Sequence, residues 1–196
     1  MKVNEIFYSF QGEGPYSGTP CLFLRLSGCN YNCSFCDTDH ESYTEYKVKD
    51  LSRKLRDMMD EYNTNLIVIT GGEPILQYDE LSELCTRLKC NIQIETNGSI
   101  IKPIIEKAEY VISPKANHEL IFDFYHEFDN VYFKFLILDQ SDIDMIKQLQ
   151  SKYNYNRTIW VQPVYEKDKE NTTMILRNSL KNVKISGQLH KYLDQR

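Results

Sequence analysis

Leu66-Ile67-Val68-Ile69-Thr70-Gly71-Gly72-Glu73-Pro74 decides how the chain folds. Its first four residues are uninterrupted apolar side chains, three of them β-branched, which marks a strand covered on both faces. The strand runs straight into two glycines. They permit either a ligand close to the backbone or a tight strand-to-helix turn, and both readings stand at this point. In α/β sheets, ligands gather at the carboxyl ends of the strands.

Upstream, Val48, Leu51, Leu55, Met58, Met59 and Tyr62 recur at helical spacing and read as core packing. Cys21-Leu22-Phe23-Leu24-Arg25-Leu26 is another nearly continuous apolar run. Arg25 interrupts it and requires an anionic partner, a structural carboxylate or a ligand. Lys2 to Phe10 reads as a first strand, broken by Gln11-Gly12-Glu13-Gly14-Pro15 with two polar side chains at the tip. Downstream, Leu81, Leu84, Cys85 and Leu88 form a helical stripe, and Asn91 to Thr96 alternates as a strand ending in Glu95-Thr96-Asn97-Gly98. Tyr110-Val111-Ile112 ends in Ser113-Pro114-Lys115, and Val131 to Leu138 is a longer strand. Ser141 with Asp144 reads as a capping box ahead of a helix through Ile143, Ile146 and Leu149. Thr158 to Val161 is a strand ending in Gln162-Pro163; a helix after Asp168 carries Met174, Ile175 and Leu176, and Val183-Lys184-Ile185 is a last short strand.

At least four strands thus end in polar or glycine-bearing signatures. Such ends converge only when the strands are parallel and curved around one mouth. A closed eightfold barrel typically needs about 250 residues, and this chain has 196. The expected fold is therefore α/β: an incomplete, TIM-like partial barrel of about six βα units with parallel strands, in a single domain spanning 1–196.

Cys29-Asn30-Tyr31-Asn32-Cys33-Ser34-Phe35-Cys36 places three cysteines at gaps of three and two residues. Four thiolates complete a cubane iron–sulfur cluster; three leave one iron for a non-protein ligand. The alternative is a zinc knuckle that borrows a histidine such as His40. The other cysteines, Cys21, Cys85 and Cys90, sit in or beside apolar stretches and read as small buried hydrophobes. With 41% hydrophobic residues the chain can build a sizeable core. Its net charge of -5 points away from nucleic acid. No apolar run reaches the roughly 18 residues of a membrane span. The first residues lack the apolar core of a signal peptide, so a cytoplasmic location is expected, with reduced cysteines.

Cys29-x3-Cys33-x-Phe35-Cys36 together with Thr70-Gly71-Gly72-Glu73-Pro74 resembles the radical S-adenosylmethionine (SAM) superfamily. Within it, Phe10-Gln11-Gly12-Glu13-Gly14, Arg25-Leu26-Ser27-Gly28-Cys29, Cys36-Asp37-Thr38 and His190-Lys191-Tyr192-Leu193 resemble the 7-carboxy-7-deazaguanine synthase family of queuosine precursor biosynthesis. The likeness covers nearly the whole chain and is weakest at 116–130 and 166–181. It implies a lyase acting on 6-carboxy-5,6,7,8-tetrahydropterin. A 5′-deoxyadenosyl radical would abstract hydrogen, and ring contraction with loss of ammonia would follow. The implied cofactors are a [4Fe-4S] cluster on Cys29, Cys33 and Cys36 in a loop at 28–39, SAM, and Mg2+ on Thr38. SAM would lie against Phe35, Gly72, Ser113, Pro114, Lys115, Gln162 and Pro163. The substrate would lie against Phe10, Gln11, Gly12, Glu13, Arg25 and Thr70, with His190 and the carboxylate of Arg196 delivered by a tail, 186–196, that folds back. A flavodoxin- or ferredoxin-like one-electron reductant and a homodimer are implied as partners.

The chemistry suits these residue types independently. A carboxylate such as Glu13 can accept two adjacent N–H donors of an aminopyrimidinone edge. The carboxylate of the substrate suits Arg25 and a hard, oxygen-ligated ion. A glycyl-radical activase shares the cysteine loop and the Gly-Gly-Glu-Pro turn but has no use for a pterin-reading Gln11/Glu13 pair. A small electron carrier or zinc-stabilised binding module has no use for a convergent mouth.

Overall fold

The computed structural model describes residues 1–33, 36, 39–164 and 167–193, without the His190 side chain. Among these residues one sheet of nine strands carries the chain, in the order β3-β1-β2-β4-β5-β6-β7-β8-β9. The strands are β1 (Lys2–Phe10), β2 (Pro20–Leu26), β3 (Thr44–Glu45), β4 (Leu66–Gly71), β5 (Asn91–Thr96), β6 (Ala108–Ile112), β7 (Val131–Ile137), β8 (Ile159–Pro163) and β9 (Val183–Ile185). From β2 through β9 each neighbour is parallel. β1 is antiparallel to β2, and β3 to β1. The sheet does not close on itself.

Six crossovers join the parallel strands, and helices fill five: α1 (Val48–Glu61), α2 (Tyr78–Arg87), α3 (His118–Tyr125), α4 (Gln140–Lys152) and α5 (Asp168–Arg177). A short helix, α6 (Leu189–Tyr192), follows β9. No described helix is long and apolar enough to cross a membrane. The partial barrel expected from the sequence is present, with two strands, β1 and β3, added at one flank through antiparallel pairings.

Alternation sorts each strand between two faces. Leu22, Leu24, Leu26, Ile67 and Ile69 join the main core under the helices. Cys21, Phe23, Leu66 and Val68 form a smaller cluster on the other, inner face, with Phe7 and Tyr16 packed against it. This explains the unbroken apolar run at Leu66–Ile69: both its faces are covered. The inner cluster fills the amino end of the half-barrel. Arg25, Thr70 and Glu95 succeed it on that face towards the carboxyl ends of their strands.

The capping box at α4 lies elsewhere than expected. Asp139 is the N-cap and accepts from Ser141 N, while Asp142 accepts from Asp139 N. The helix begins one residue before Ser141, so Ser141 sits inside the first turn rather than at its cap. Cys21 and Cys85 are buried, and Cys90 is half-buried. Burial pushes the first two thiols up to about 12 and Cys90 to about 11, as befits packed, inert sulfur.

Candidate active site

The Gly71-Gly72 turn is shaped by protein backbone. At Gly71 φ is 145°, and a Cβ there would lie 2.1 Å from the Leu26 carbonyl oxygen. A Cβ at Gly72 would lie 2.2 Å from the Gly28 oxygen and 2.8 Å from Cys29 Cβ. The absence of side chains lets the end of β4 press against the start of the cysteine loop. Gly72 N–H then donates to Leu26 O at 3.2 Å, and Glu73 N–H to Gly28 O at 2.8 Å.

Glu73 continues this tie. It is buried, and its carboxylate accepts from Ile75 N (2.9 Å), Thr96 Oγ1 (2.6 Å) and Asn97 N (2.8 Å). Burial raises its pKa, and the three donors act against that rise. Glu73 therefore binds the end of β4 to the end of β5 rather than facing a ligand. Glu73→Gln turns one acceptor oxygen into an amide that confronts a donor. The expected loss is about 1–3 kcal/mol, read as a lower urea midpoint with an unchanged slope.

The cysteine loop is pinched at its base, where Gly28 N–H donates to His40 O at 2.7 Å. Within it, Cys36 N–H donates to Cys33 O at 3.1 Å, and Tyr31 N–H to Cys29 Sγ at 3.4 Å. Burial raises the Cys29 thiol, and the Cys33 and Cys36 sulfurs add to that rise, so the three lie within electrostatic reach of one another. Among the described residues no three His, Cys, Asp or Glu side chains form a site for a single metal ion. A cubane instead takes its thiolates on separate irons, and a three-thiol loop supplies three such ligands. Asn30 anchors the loop laterally: it accepts from Asn97 Nδ2 (3.0 Å) and donates to Ser99 Oγ (2.8 Å).

Two carboxylates organise the inner face. Glu95 accepts from Gln11 Nε2 (2.9 Å), Gln93 Nε2 (3.1 Å) and Thr70 Oγ1 (3.1 Å). Glu13 pairs with Lys134 and accepts from Gln162 Nε2 (3.1 Å) and Gln188 Nε2 (3.2 Å). The loop after β1 thus reaches across the inner face to β5, β7, β8 and the segment beyond β9. Ser186 and Leu189 hold it there: Gly14 N–H donates to Ser186 Oγ (2.9 Å), and Leu189 N–H to Gly12 O (3.1 Å). Lys115 Nζ donates to Ser113 Oγ at 2.9 Å. Burial, then the Lys134 ammonium, pull Lys115 down to about 8, while Glu13, Cys33 and Glu95 oppose that shift. This lysine stands between the cysteine loop and the carboxylate pair. The Oε1 atoms of Gln93 and Gln162 are buried without a hydrogen-bond partner, acceptors of the kind a bound ligand or water satisfies.

Most residues singled out in the sequence come together here: Gln11, Gly12, Glu13, Thr70, Ser113, Lys115 and Gln162. Pro114 and Pro163 flank them, buried, at the ends of their strands. Arg25 lies on the same face beside Thr70 in register, and its anionic partner is Glu5, at 2.8 Å. Phe10 is not brought in. It lies three residues beyond the inward Phe7, which places it on the opposite face, and it is 42% exposed. Phe35, Thr38 and Arg196 lie outside the described residues, as does the His190 side chain. Lys134, Glu95, Gln93 and Gln188 were not assigned from sequence. Strand alternation could have found Lys134, Glu95 and Gln93, since each shares the second face of a strand whose other face is apolar.

The radical SAM superfamily model matches residues 24–117, the span from β2 past the end of β6. The chain is 34% identical over 199 residues to the 7-carboxy-7-deazaguanine synthase of Bacteroides thetaiotaomicron, covering 100% of this chain and 98% of the relative. It is 32% identical over 213 residues to that of Rickettsia prowazekii, covering 98% and 88%. The chain belongs to the 7-carboxy-7-deazaguanine synthase family. The crystal structure of QueE from Escherichia coli shares the fold, with a TM-score of 0.71 at 23% identity over 96% of this chain and 94% of that one. Membership in this family makes the chain a radical SAM lyase whose cofactors are a [4Fe-4S] cluster and SAM.

Proposed function

We propose that this chain converts 6-carboxy-5,6,7,8-tetrahydropterin to 7-carboxy-7-deazaguanine, with ring contraction and loss of ammonia. The observation that carries the reading is the pair of amide-lined carboxylates, Glu13 and Glu95, set beside a loop of three cysteines that form no disulfide. A flat heterocycle rich in N–H donors is the ligand such acceptors suit.

Cys29, Cys33 and Cys36 hold the cluster in this reading, and SAM lies against the Gly72 backbone, Ser113, Pro114, Lys115, Gln162 and Pro163. Cluster and SAM, when bound, supply the radical chemistry. The chain's own part is to bind, orient and exclude water. Gly72 spends its N–H on Leu26, so its carbonyl is the backbone group that would be left to hold the SAM ammonium. The Lys115 ammonium, half-buried near Cys33, suits the SAM carboxylate. Gln11, Gly12, Glu13 and Thr70, joined by Glu95, face the heterocycle, while Arg25 and Mg2+ on Thr38 take its carboxylate. The described start of the cysteine loop, Gly28 to Cys33, borders one side of the site in this reading and the segment from Ser186 the other; the Ser186 and Leu189 contacts support the second border. A cytoplasmic homodimer fed by a flavodoxin- or ferredoxin-like reductant completes the proposal.

Anaerobic turnover with the carboxypterin, SAM and dithionite tests it. The expected result is 7-carboxy-7-deazaguanine, identified by mass, with 5′-deoxyadenosine formed only when the pterin is present. Deoxyadenosine formation that leaves the pterin unconsumed would overturn the assignment.

A further inference from the structure

Lys134 rises from the middle of β7 into the inner face and pairs with Glu13 across 121 residues of sequence. Both side chains are largely withdrawn from water, at 11% and 14% exposure. The other oxygen of Glu13 takes the two amides of Gln162 and Gln188. Amides contribute dipoles, whereas the ammonium contributes a whole charge. A carboxylate this enclosed, without its cation, takes up a proton or swings towards water. Either response withdraws the acceptor oxygens and slackens the loop, because Glu13 is also the point where β7, β8 and the segment after β9 meet that loop.

We propose that Lys134 is a positioning residue of the substrate site: its ion pair fixes the Glu13 carboxylate in the pose that receives the heterocycle. This rests on the functional reading above. Lys134 touches Glu13 and acts through it, so its effect depends on the carboxylate.

The reconstituted full-length enzyme tests this with Lys134→Met, Lys134→Arg, Glu13→Gln and the double variant Glu13→Gln/Lys134→Met. Lys134→Met is expected to raise KM for the carboxypterin about 30-fold or more, as when one partner of an enclosed charge pair is removed. KM for SAM stays within about twofold, and the cluster absorption is unchanged. Lys134→Arg recovers most of the pterin affinity, and calorimetric titration with the pterin follows the same order. In the Glu13→Gln background Lys134→Met adds nothing. A parallel rise in KM for SAM, or single-variant losses that add in the double variant, overturns the proposal. Should Lys134→Met fail to fold, Glu13→Gln and the double variant decide: equal pterin KM supports it, and a further rise in the double variant overturns it. Wild-type turnover of the carboxypterin is the control. Its absence overturns the functional reading and this inference together, whereas wild-type turnover beside an unchanged pterin KM in Lys134→Met overturns the inference alone.

Discussion

Cys33→Ala is expected to abolish both cluster assembly and SAM cleavage. The loop offers three thiols, and the next cysteines in the chain, Cys85 and Cys90, are packed against the main core with thiols raised well above neutrality. A thiolate is the form that binds metal, so neither can step in. Two thiolates hold too few irons of a cubane that normally takes four. Anaerobically prepared Cys33→Ala should therefore lack the iron, the sulfide and the low-temperature EPR signal of the wild-type protein. Its melting temperature should stay close to that of wild-type apoprotein, because Cys33 lies outside both hydrophobic clusters. Cys90→Ala, matched in chemistry and remote from the loop, should load normally. A Cys33→Ala protein with full iron content and SAM cleavage would remove the cysteine loop from the mechanism.

The layout of the sheet was legible because its signal is local. A strand buried on both faces reads as an unbroken apolar run, and Leu66–Ile69 is such a strand. The same holds for the helical stripe of α1 and for the polar ends of β5, β6 and β8. What could not be read there depends on contacts between residues distant in sequence. β3 is two residues long and exists only as a partner of Lys2 and Val3; two residues carry no period. α3 is eight residues, little more than two turns, too short to show a helical period clearly. Ser141 was read as the cap of α4, whereas Asp139 holds that place: it accepts from Ser141 N while Asp142 accepts from the Asp139 N–H.

The site shows the same division. Its cysteines, Gln11, Glu13 and the strand ends announce themselves by residue type. Their mutual arrangement does not, since Glu13 meets donors 121, 149 and 175 residues away. Sequence alone therefore made Glu13 an open carboxylate waiting for a pyrimidine edge. In the fold it is the hub of a charge-and-amide network. Arg25 was balanced between a structural and a ligand-facing reading. Glu5 supplies the structural partner, and the position beside Thr70 keeps the guanidinium at the mouth.

The double glycine carries the second large prediction. Gly72→Ala would place a methyl group 2.2 Å from the Gly28 oxygen, 2.6 Å from its carbonyl carbon and 2.8 Å from Cys29 Cβ. Two of these three atoms are backbone, so no rotamer change relieves the contact, and the strand end or the cysteine loop must move. The strand end is held on both sides: β4 is hydrogen-bonded to β2 and β5, and Glu73 fastens it to Thr96 and Asn97. The loop gives way instead. It loses the Glu73 N–H bond to Gly28 and carries Cys29 out of line with the other two thiols. The expected cost is about 1–3 kcal/mol, as for overpacking elsewhere, or about 2–4 °C in melting temperature per kcal/mol for a chain of this size. Cluster occupancy should fall much further than stability, because three ligands must be placed together. Gly187→Ala is the folding control, since its Cβ would meet nothing closer than 3.9 Å. Iron content measured on both variants after identical reconstitution decides the matter. Loading of Gly72→Ala equal to that of Gly187→Ala would mean that the loop does not depend on this close approach and that Gly72 is glycine for another reason.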